Sequence, residues 1–345
     1  MGLDSDELSA MGKSLSCSGR CGGVHWSAMK ISTNSVKTVE RLFGQCDKRI
    51  WNKSRVLTED EAAIGAALFG SSEVLSTIGT ASDDDGDGLW QGAMIVEAAP
   101  RSQYDTLIEL GRSGVALPDG LICLAGRGDG FHGFKGRSWA SPPGNIYLSA
   151  HLAPNRKIVN FGAGFLMLAA VSVIEALDAV EILNRRAMIK WVNDILIDGA
   201  KICGVLASTS TQGERVTGAV IGIGLNVMTT PEVPPTRFVP RVASLRDFCD
   251  RPDDTLLSAA LRQLIIALEK NYRLLLSDGC DPLFEKYHAR SMVLGHEVAI
   301  HEDSTDDDGK LIVQGKVMGM NERLELDIAG RDGLVSSGRL VLKAE

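Results

Sequence analysis

The clearest pattern of apolar and polar positions runs from residue 189 to 206. Two apolar runs rich in β-branched residues flank Asp198-Gly199. A two-residue type I′ turn needs φ > 0 at both central positions, which Asp-Gly tolerates, so the stretch predicts a β-hairpin. Side chains alternate faces along a strand, which puts Lys190, Val192, Asp194 and Leu196 on one face. The turn pairs Ile197 with Ala200 and Leu196 with Lys201, and cross-strand partners share a face. Lys190, Asp194 and Lys201 therefore converge on one patch of an otherwise apolar hairpin. That patch suits an anionic ligand, with or without a metal. It equally suits a solvated, salt-bridged face, which antiparallel sheets commonly present.

The rest of the chain reads as alternating strands and helices. Residues 24–31 and 93–98 predict strands, and 36–43 a helix. Thr58-Glu59-Asp60-Glu61 reads as a capping box opening a helix through Leu68. Residues 104–110 have helical spacing, broken by Gly111, Gly114 and Pro118. A short buried strand at 121–125 runs into a glycine-rich stretch, 126–139. Residues 141–145 predict a turn, 146–151 a strand, and 161–177 a mostly apolar helix buried against a sheet. Residues 216–227 hold another strand, and Asp254 can cap a helix through Leu257, Leu261, Leu264 and Leu268. After about Ser291 the pattern changes to short runs at 298–300, 310–313, 316–318, 324–328, 334–335 and 339–342. Asp308-Gly309 and Asp332-Gly333 mark turns, so this end predicts a separate small all-β barrel or sandwich.

Composition narrows the partners. The chain has 345 residues, enough for about two domains, and is 44% hydrophobic and 23% charged. A formal net charge of −8 argues against a general nucleic-acid binder. The seven cysteines include no CxxC pair, and Cys17, Cys21 and His25 lack a nearby fourth zinc ligand. Free thiols in a reducing, cytoplasmic setting are the reading. Residues 1–23, rich in Ser and Gly, predict disorder. No secretory h-region is visible, Asp6 spoils a myristoylation signal at Met1-Gly2, and no uncharged apolar run approaches about 18 residues. Asp83-x-Asp85-x-Asp87-Gly88 matches half of a calcium loop, but Met94 replaces its closing Glu, so a solvated turn is expected. Gly128-x-Gly130-x-x-Gly133 has the letters of a dinucleotide fingerprint. No helix opens after it to receive a pyrophosphate, which removes that reading. A glycine-rich loop with Arg127, His132, Lys135 and Arg137 instead lets backbone N–H groups and cationic side chains approach an anion.

The order of these segments carries more than any one of them. The basic glycine loop ends in Trp139. Ser141-Pro142-x-Gly144-x-x-Tyr147-x-Ser149 follows, then Lys190-Trp191-x-Asn193-Asp194, Lys201-x-x-Gly204-Val205-Leu206, Gly222-x-Gly224-x-Asn226-Val227 and Phe284-x-x-Tyr287. This series, over residues 92–345, resembles the biotin–protein ligases of the biotin/lipoate A/B protein ligase superfamily. The resemblance implies an α+β fold. A mixed-sheet, class II synthetase-like catalytic domain would span residues 92–290, and a small C-terminal SH3-like β-barrel 291–345. Residues 1–91 would be an N-terminal extension without a counterpart.

The resemblance also implies roles. Lys190, Asn193 and Asp194 occupy the family's lysine-tryptophan-proline-asparagine-aspartate motif, with Val192 for the proline. Lys201 looks like the lysine that meets both the biotin carboxylate and the α-phosphate. Gly204 would lie by biotin, Asn226 near the nucleotide, and Trp139 against the adenine. The loop departs from the usual Gln-x-x-Gly-Arg-Gly-Arg-x-Gly-Arg-x-Trp. Without a gap, Gly128 takes the Gln, His132 the first Arg and Phe134 the second, while Gly133, Gly136, Arg137 and Trp139 are kept. With an insertion, Gly126-Arg127-Gly128 becomes the Gly-Arg-Gly. Upstream, either Ser102-Gln103 or Ser32-Thr33-Asn34 fills the family's Ser-Thr-Asn position.

The implied activity joins biotin to ATP as biotinyl-AMP and then biotinylates a lysine of a biotin carboxyl carrier protein or domain. Mg²⁺ would assist, nucleic acid and membrane would play no part, and a homodimer is left open. Charge supports this chemistry. Bringing a carboxylate to ATP forces two anions together, and Lys190, Asp194, Lys201 and the basic loop can neutralise and enclose them. Two alternatives stand beside it: lipoyl or octanoyl transfer within the superfamily, and a non-catalytic biotin or nucleotide sensor.

Overall fold

The structure is a computed structural model and describes residues 29–44, 59–69, 76–78, 88–180, 186–249, 252–304 and 308–343. The Cys17–His25 cluster, Thr58 of the capping box and the Asp83–Asp87 stretch lie outside those residues. The chain first builds β1 (Lys30–Thr33), α1 (Val36–Phe43), α2 (Glu59–Phe69), β2 (Ser76–Ile78), β3 (Gly92–Ala99), α3 (Gln103–Arg112) and β4 (Leu121–Gly128). Next come β5 (Ile146–Leu152), β6 (Arg156–Lys157), α4 (Phe161–Asp178), β7 (Ala187–Lys190), β8 (Asp194–Ile197), β9 (Ala200–Gln212) and β10 (Arg215–Leu225). The helices α5 (Leu256–Asp278) and α6 (Asp281–Ala289) lead into β11 (Glu297–His301), β12 (Leu311–Met320), β13 (Leu326–Ile328) and β14 (Arg339–Leu342).

A ten-stranded mixed sheet runs β2-β1-β3-β4-β5-β10-β9-β8-β7, with β6 on β10. β1, β3 and β4 are parallel to one another and the other pairs are antiparallel. The described part of residues 1–91 is built into this sheet: β1 pairs with β3, and Val39 and Leu42 of α1 join the main core. One face of the sheet is covered by α1, α4, α5 and α6. α2 and α3 pack on the other face through Ile64, Leu68 and Leu107 against Met94, Cys123 and Val220. α4 is long and apolar enough to cross a membrane by length and composition, but 67% of that stretch is buried between sheet and α5. An all-round apolar helix is what a central layer requires.

The Asp198-Gly199 turn forms as expected, with φ of 48° and 76°. Ile197 pairs with Ala200 and Leu196 with Lys201. The single strand expected over 189–197 does not form. β7 ends at Lys190, Trp191–Asn193 turn, and β8 starts at Asp194, directly opposite Lys190. The break follows from Trp191, whose indole leaves the sheet to pack among Val293, Val298, Ile300, Leu326 and Leu340 and donates Nε1–H to the Leu324 carbonyl at 2.6 Å. The helix expected from Asp254 begins instead after Thr255, and Asp253 accepts from the Thr255 amide and hydroxyl.

The C-terminal strands form a four-stranded sheet in the order β13-β12-β11-β14. Its outer strands are not paired with each other, so the expected closed barrel is present here as an open sheet. β12 is one continuous strand where the sequence pattern showed two runs. The runs split because Gln314 and Gly315 interrupt the apolar spacing, while the backbone ladder to β11 continues through both.

Candidate active site

Lys201 and Gly204 are three residues apart on β9, a spacing that puts side chains on opposite faces of a regular strand. They face the same way because the β8–β9 ladder slips by one residue. Leu196 opposes Lys201 but Ile195 opposes Cys203, leaving Ile202 as the extra residue of a bulge. The bulge brings Lys201 beside Asp194, and its Nζ lies 2.7 Å from Asp194 Oδ1, each side chain 18% exposed. Asn193 fastens the preceding turn to β9: its backbone carbonyl accepts from Val205 N–H and its side-chain amide donates to the Val205 carbonyl, both at 2.9 Å.

Glycines pave the floor of the cleft in front of this pair. Gly204 pairs with Gly224 and Leu206 with Gly222 across β9–β10, and Gly222 and Gly224 pair with Ser149 and Tyr147 across β10–β5. The absent Cβ atoms matter, because two rings lie where they would point. A Cβ on Gly224 would sit 2.7 Å from the Trp139 indole, one on Gly204 3.1 Å from it, and one on Gly222 3.0 Å from the Tyr104 ring. The Lys201 ammonium stands 5.2 Å from the Trp139 ring centroid, a cation–π contact. Trp139 Nε1 is buried without a hydrogen-bond partner. Phe131 stacks edge-on to Tyr147 at 5.7 Å and closes the side of the cleft. Burial pushes the Tyr104 hydroxyl up to about 12, more than the Ser208 contact lowers it, so it stays protonated near neutral pH.

The structure gathers most of the expected residues at this cleft. Ser102 and Gln103 enter at the N-terminus of α3, both buried, with Gln103 Nε2 donating to the Leu124 carbonyl at 3.4 Å. His132, Gly133, Phe134, Arg137 and Trp139 line it from the glycine loop. Asn193, Asp194, Lys201 and Gly204 line it from the hairpins. Arg137 Nη1 lies 3.9 Å from Asp303 Oδ1, just beyond β11.

Five expected residues are placed elsewhere. Arg127 and Gly128 line a separate shallow cleft with Ser141, Thr229 and Thr230. Gly128 is covered by the Phe131 ring, 2.3 Å from where its Cβ would be. Gly136 is exposed at the loop tip with φ of 74°. Asn226 is buried behind the floor, its amide donating to the Ala243 carbonyl at 3.0 Å and its Oδ1 unpartnered. Lys190 shares the Asp194 face, but its ammonium turns away from the cleft and donates to the Phe238 carbonyl. Burial brings Lys190 down to about 8, against the pull of Asp194, with Lys201 and Arg339 adding to the lowering. Of the two upstream alternatives, Ser102-Gln103 is at the cleft. Ser32 and Thr33 sit on β1, with β3 and β4 between them and β5.

Sequence reasoning missed Tyr104 and Phe131 because aromatic residues at such spacing look like ordinary core. Gly222-x-Gly224 stands in the ordered series of segments without a role in the site. Glycine at alternate positions of a strand exposes one flat backbone face, and that was the available signal.

Fold and cleft together define an α+β protein whose mixed sheet presents a glycine floor, an ion-paired lysine and a basic loop to a ligand. The biotin/lipoate A/B protein ligase family model matches residues 103–226. The chain is 30% identical over 174 residues to the bifunctional ligase/repressor BirA of Bacillus subtilis, an alignment covering 49% of this chain and 52% of that protein. It thus spans about half the length of that relative. It is 28% identical over 263 residues to the biotin--[acetyl-CoA-carboxylase] ligase of Mycobacterium tuberculosis, covering 73% of this chain and 89% of that protein. In fold it is similar to the biotin protein ligase of Aquifex aeolicus in complex with biotin and ATP. That likeness has a TM-score of 0.54 at 23% identity and covers 73% of this chain and 99% of the other.

Proposed function

We propose that the protein is an ATP-dependent biotin–protein ligase. The carboxylate of biotin attacks the α-phosphorus of ATP, forming the acyl–phosphate bond of biotinyl-AMP and releasing pyrophosphate. The ε-amine of a lysine on a carboxylase carrier domain then attacks the acyl carbon, forming the amide, losing its proton and expelling AMP. The observation that carries this reading is the Lys201–Asp194 pair facing a glycine floor under the indole of Trp139. Lys201 would bridge the carboxylate and the α-phosphate, with Asp194 fixing its ammonium. Lys190 would support Asp194 from behind the cleft. Ser102, Gln103, Gly204 and the loop from His132 to Trp139 would enclose the acyl acid and nucleotide. A dry, preorganised cationic site stabilises charge that develops as two anions meet. Mg²⁺ would come with the nucleotide phosphates; among the described residues no group of three His, Cys, Asp or Glu side chains could hold a metal by itself. Among the described residues Cys123, Cys203 and Cys280 are free thiols, which suits a reducing cytoplasm.

The direct test is incubation with ATP, labelled biotin and an acceptor carrier domain, with lipoate as the control acid. Label should reach the acceptor lysine from biotin and not from lipoate. Label from lipoate alone would transfer the assignment to lipoyl ligation, and label from neither would leave a binding protein.

The glycine floor makes a second expectation. A methyl group at residue 224 collides with the indole, so Gly224→Ala should displace Trp139. Overpacking of this kind costs about 1–3 kcal/mol, which in affinity is about five- to 150-fold. Calorimetry with a non-hydrolysable biotinyl-AMP analogue should show that weakening with the fold intact. Unchanged affinity would mean that the indole does not contribute to the bound state.

A further inference from the structure

The glycine loop holds a histidine whose two ring nitrogens both meet acceptors. His132 Nε2 lies 2.6 Å from Asp105 Oδ2 in the first turn of α3, and Nδ1 lies 2.9 Å from the Gly133 carbonyl. A neutral imidazole carries a single N–H. With a carbonyl on one side and a carboxylate on the other, only the imidazolium makes both bonds. The side chains are 28% and 32% exposed, so water competes only in part.

The surrounding loop is a closed flap. His132 bridges to Ser138, Gly133 N–H donates to the Arg137 carbonyl at 2.7 Å, and Trp139 N–H to the Phe131 carbonyl at 2.8 Å. Residues 131–139 are thus tied to one another, and Trp139 at the base of the loop covers the glycine floor. The flap's other ion pair, Arg137 with Asp303, is open at 3.9 Å, and both Arg137 Nη1 and Asp303 Oδ1 are buried without a hydrogen bond. Among the described residues, His132 to Asp105 is therefore the short ion pair that ties the flap to α3, beside the cation–π contact of Lys201 with Trp139.

We propose that His132 and Asp105 form a proton-dependent latch that holds the flap of residues 131–139 over the cleft, so that ligand capture depends on the charge of His132. The inference rests on the cleft being the ligand site and adds a positioning residue to it. Burial alone would lower the imidazole's affinity for its proton. The Gly133 carbonyl and Asp105 outweigh burial and leave the pKa raised above the ordinary 6.5. The charged groups around His132 are Asp105 on α3, with Arg101 and its partner Glu109 behind it, Lys135 and Arg137 on the flap, and Lys201 with Asp194 across the cleft. A raised histidine favours the state that holds its proton. The latch is therefore fully made at acid pH and released as pH rises through the raised value.

The test uses the full chain with isotope-labelled histidine and follows the six ring signals by NMR, His132 being assigned by its loss in His132→Arg. His132 should titrate above 6.5 in the wild type. Its midpoint should fall in Asp105→Asn, a near-isosteric change. Hydrogen exchange of the 131–139 amides, corrected for intrinsic rates, should speed up through the wild-type midpoint. KM for the acyl acid should rise by up to about tenfold per pH unit above it, with kcat little changed. His132→Arg keeps a fixed cation and should flatten that profile while the carboxylate contact is retained. An unchanged midpoint in Asp105→Asn, or flap exchange indifferent to pH, would overturn the latch. The NMR and exchange readouts need no turnover, so they separate failure of the latch from failure of the ligase reading.

Discussion

Lys201→Met should cut biotinyl-AMP formation by about a hundredfold or more, with a smaller effect on transfer from supplied biotinyl-AMP to the carrier. Lys201 is the cation nearest to where two anions would be joined, and an interaction made mainly in the transition state appears in the turnover rate more than in ground-state affinity. Losing one charge-assisted contact in a water-excluded site costs about 3 kcal/mol, which is the hundredfold. The geometry sharpens this. Asp194 Oδ1 is held 2.7 Å from the Lys201 ammonium. Methionine therefore leaves a partly buried carboxylate unpaired and facing incoming phosphate, and that repulsion adds to the loss. Methionine is similar to lysine in length and also unbranched, so the bulge and the fold should persist. Single-turnover measurement of pyrophosphate release decides it. Near-normal adenylation in Lys201→Met would show that the lysine serves only as the ion-pair partner of Asp194.

Trp191→Ala should lower stability by about 3–5 kcal/mol, the range for deleting a buried aromatic side chain. The indole is 6% exposed and leaves the turn between β7 and β8 to complete the C-terminal core. Its removal also strips the Leu324 carbonyl of its donor. The same interface includes Phe238, whose carbonyl receives the Lys190 ammonium and whose ring lies 3.6 Å from the Arg339 guanidinium and edge-on to His301. Loosening the C-terminal sheet should therefore also disturb Lys190. Urea unfolding followed by a probe in β11–β14 should show an early transition for that sheet. A loss below about 1 kcal/mol would mean that the site collapses around the missing ring.

How much of this was legible in sequence depended on whether the deciding forces were local. The Asp198-Gly199 turn was legible because its two positive φ values are a property of those two residues. α1 and the buried α4 followed from apolar spacing, and β14 from a short apolar run. The break between β7 and β8 was not legible. Asn193-Asp194 alone interrupt the apolar run from Trp191 to Ile197, and the turn there goes with the packing of Trp191 into a distant core. α6 was missed because its apolar positions are few and it is positioned by α4 and α5. In the site, charged and glycine positions were visible while the rings that rest on them were not. Nothing local tells Tyr104 apart from a core tyrosine. Lys190 was placed on the correct face and the wrong side of the hydrogen-bond network, because its acceptor, the Phe238 carbonyl, is 48 residues away.

The bulge at Ile202 bears on how the chain tolerates change. Lys201 and Gly204 meet the same cleft only because one residue between them is left out of the ladder. The length of that segment is therefore as much a part of the site as the lysine. Exchanging Ile202 for another buried aliphatic keeps the count, and Lys201 keeps its place beside Asp194. Inserting or deleting a single residue there alters no charge and no apolar fraction. It nonetheless turns either the lysine or the glycine to the far side of the sheet, where α4 and α5 leave no room for a ligand.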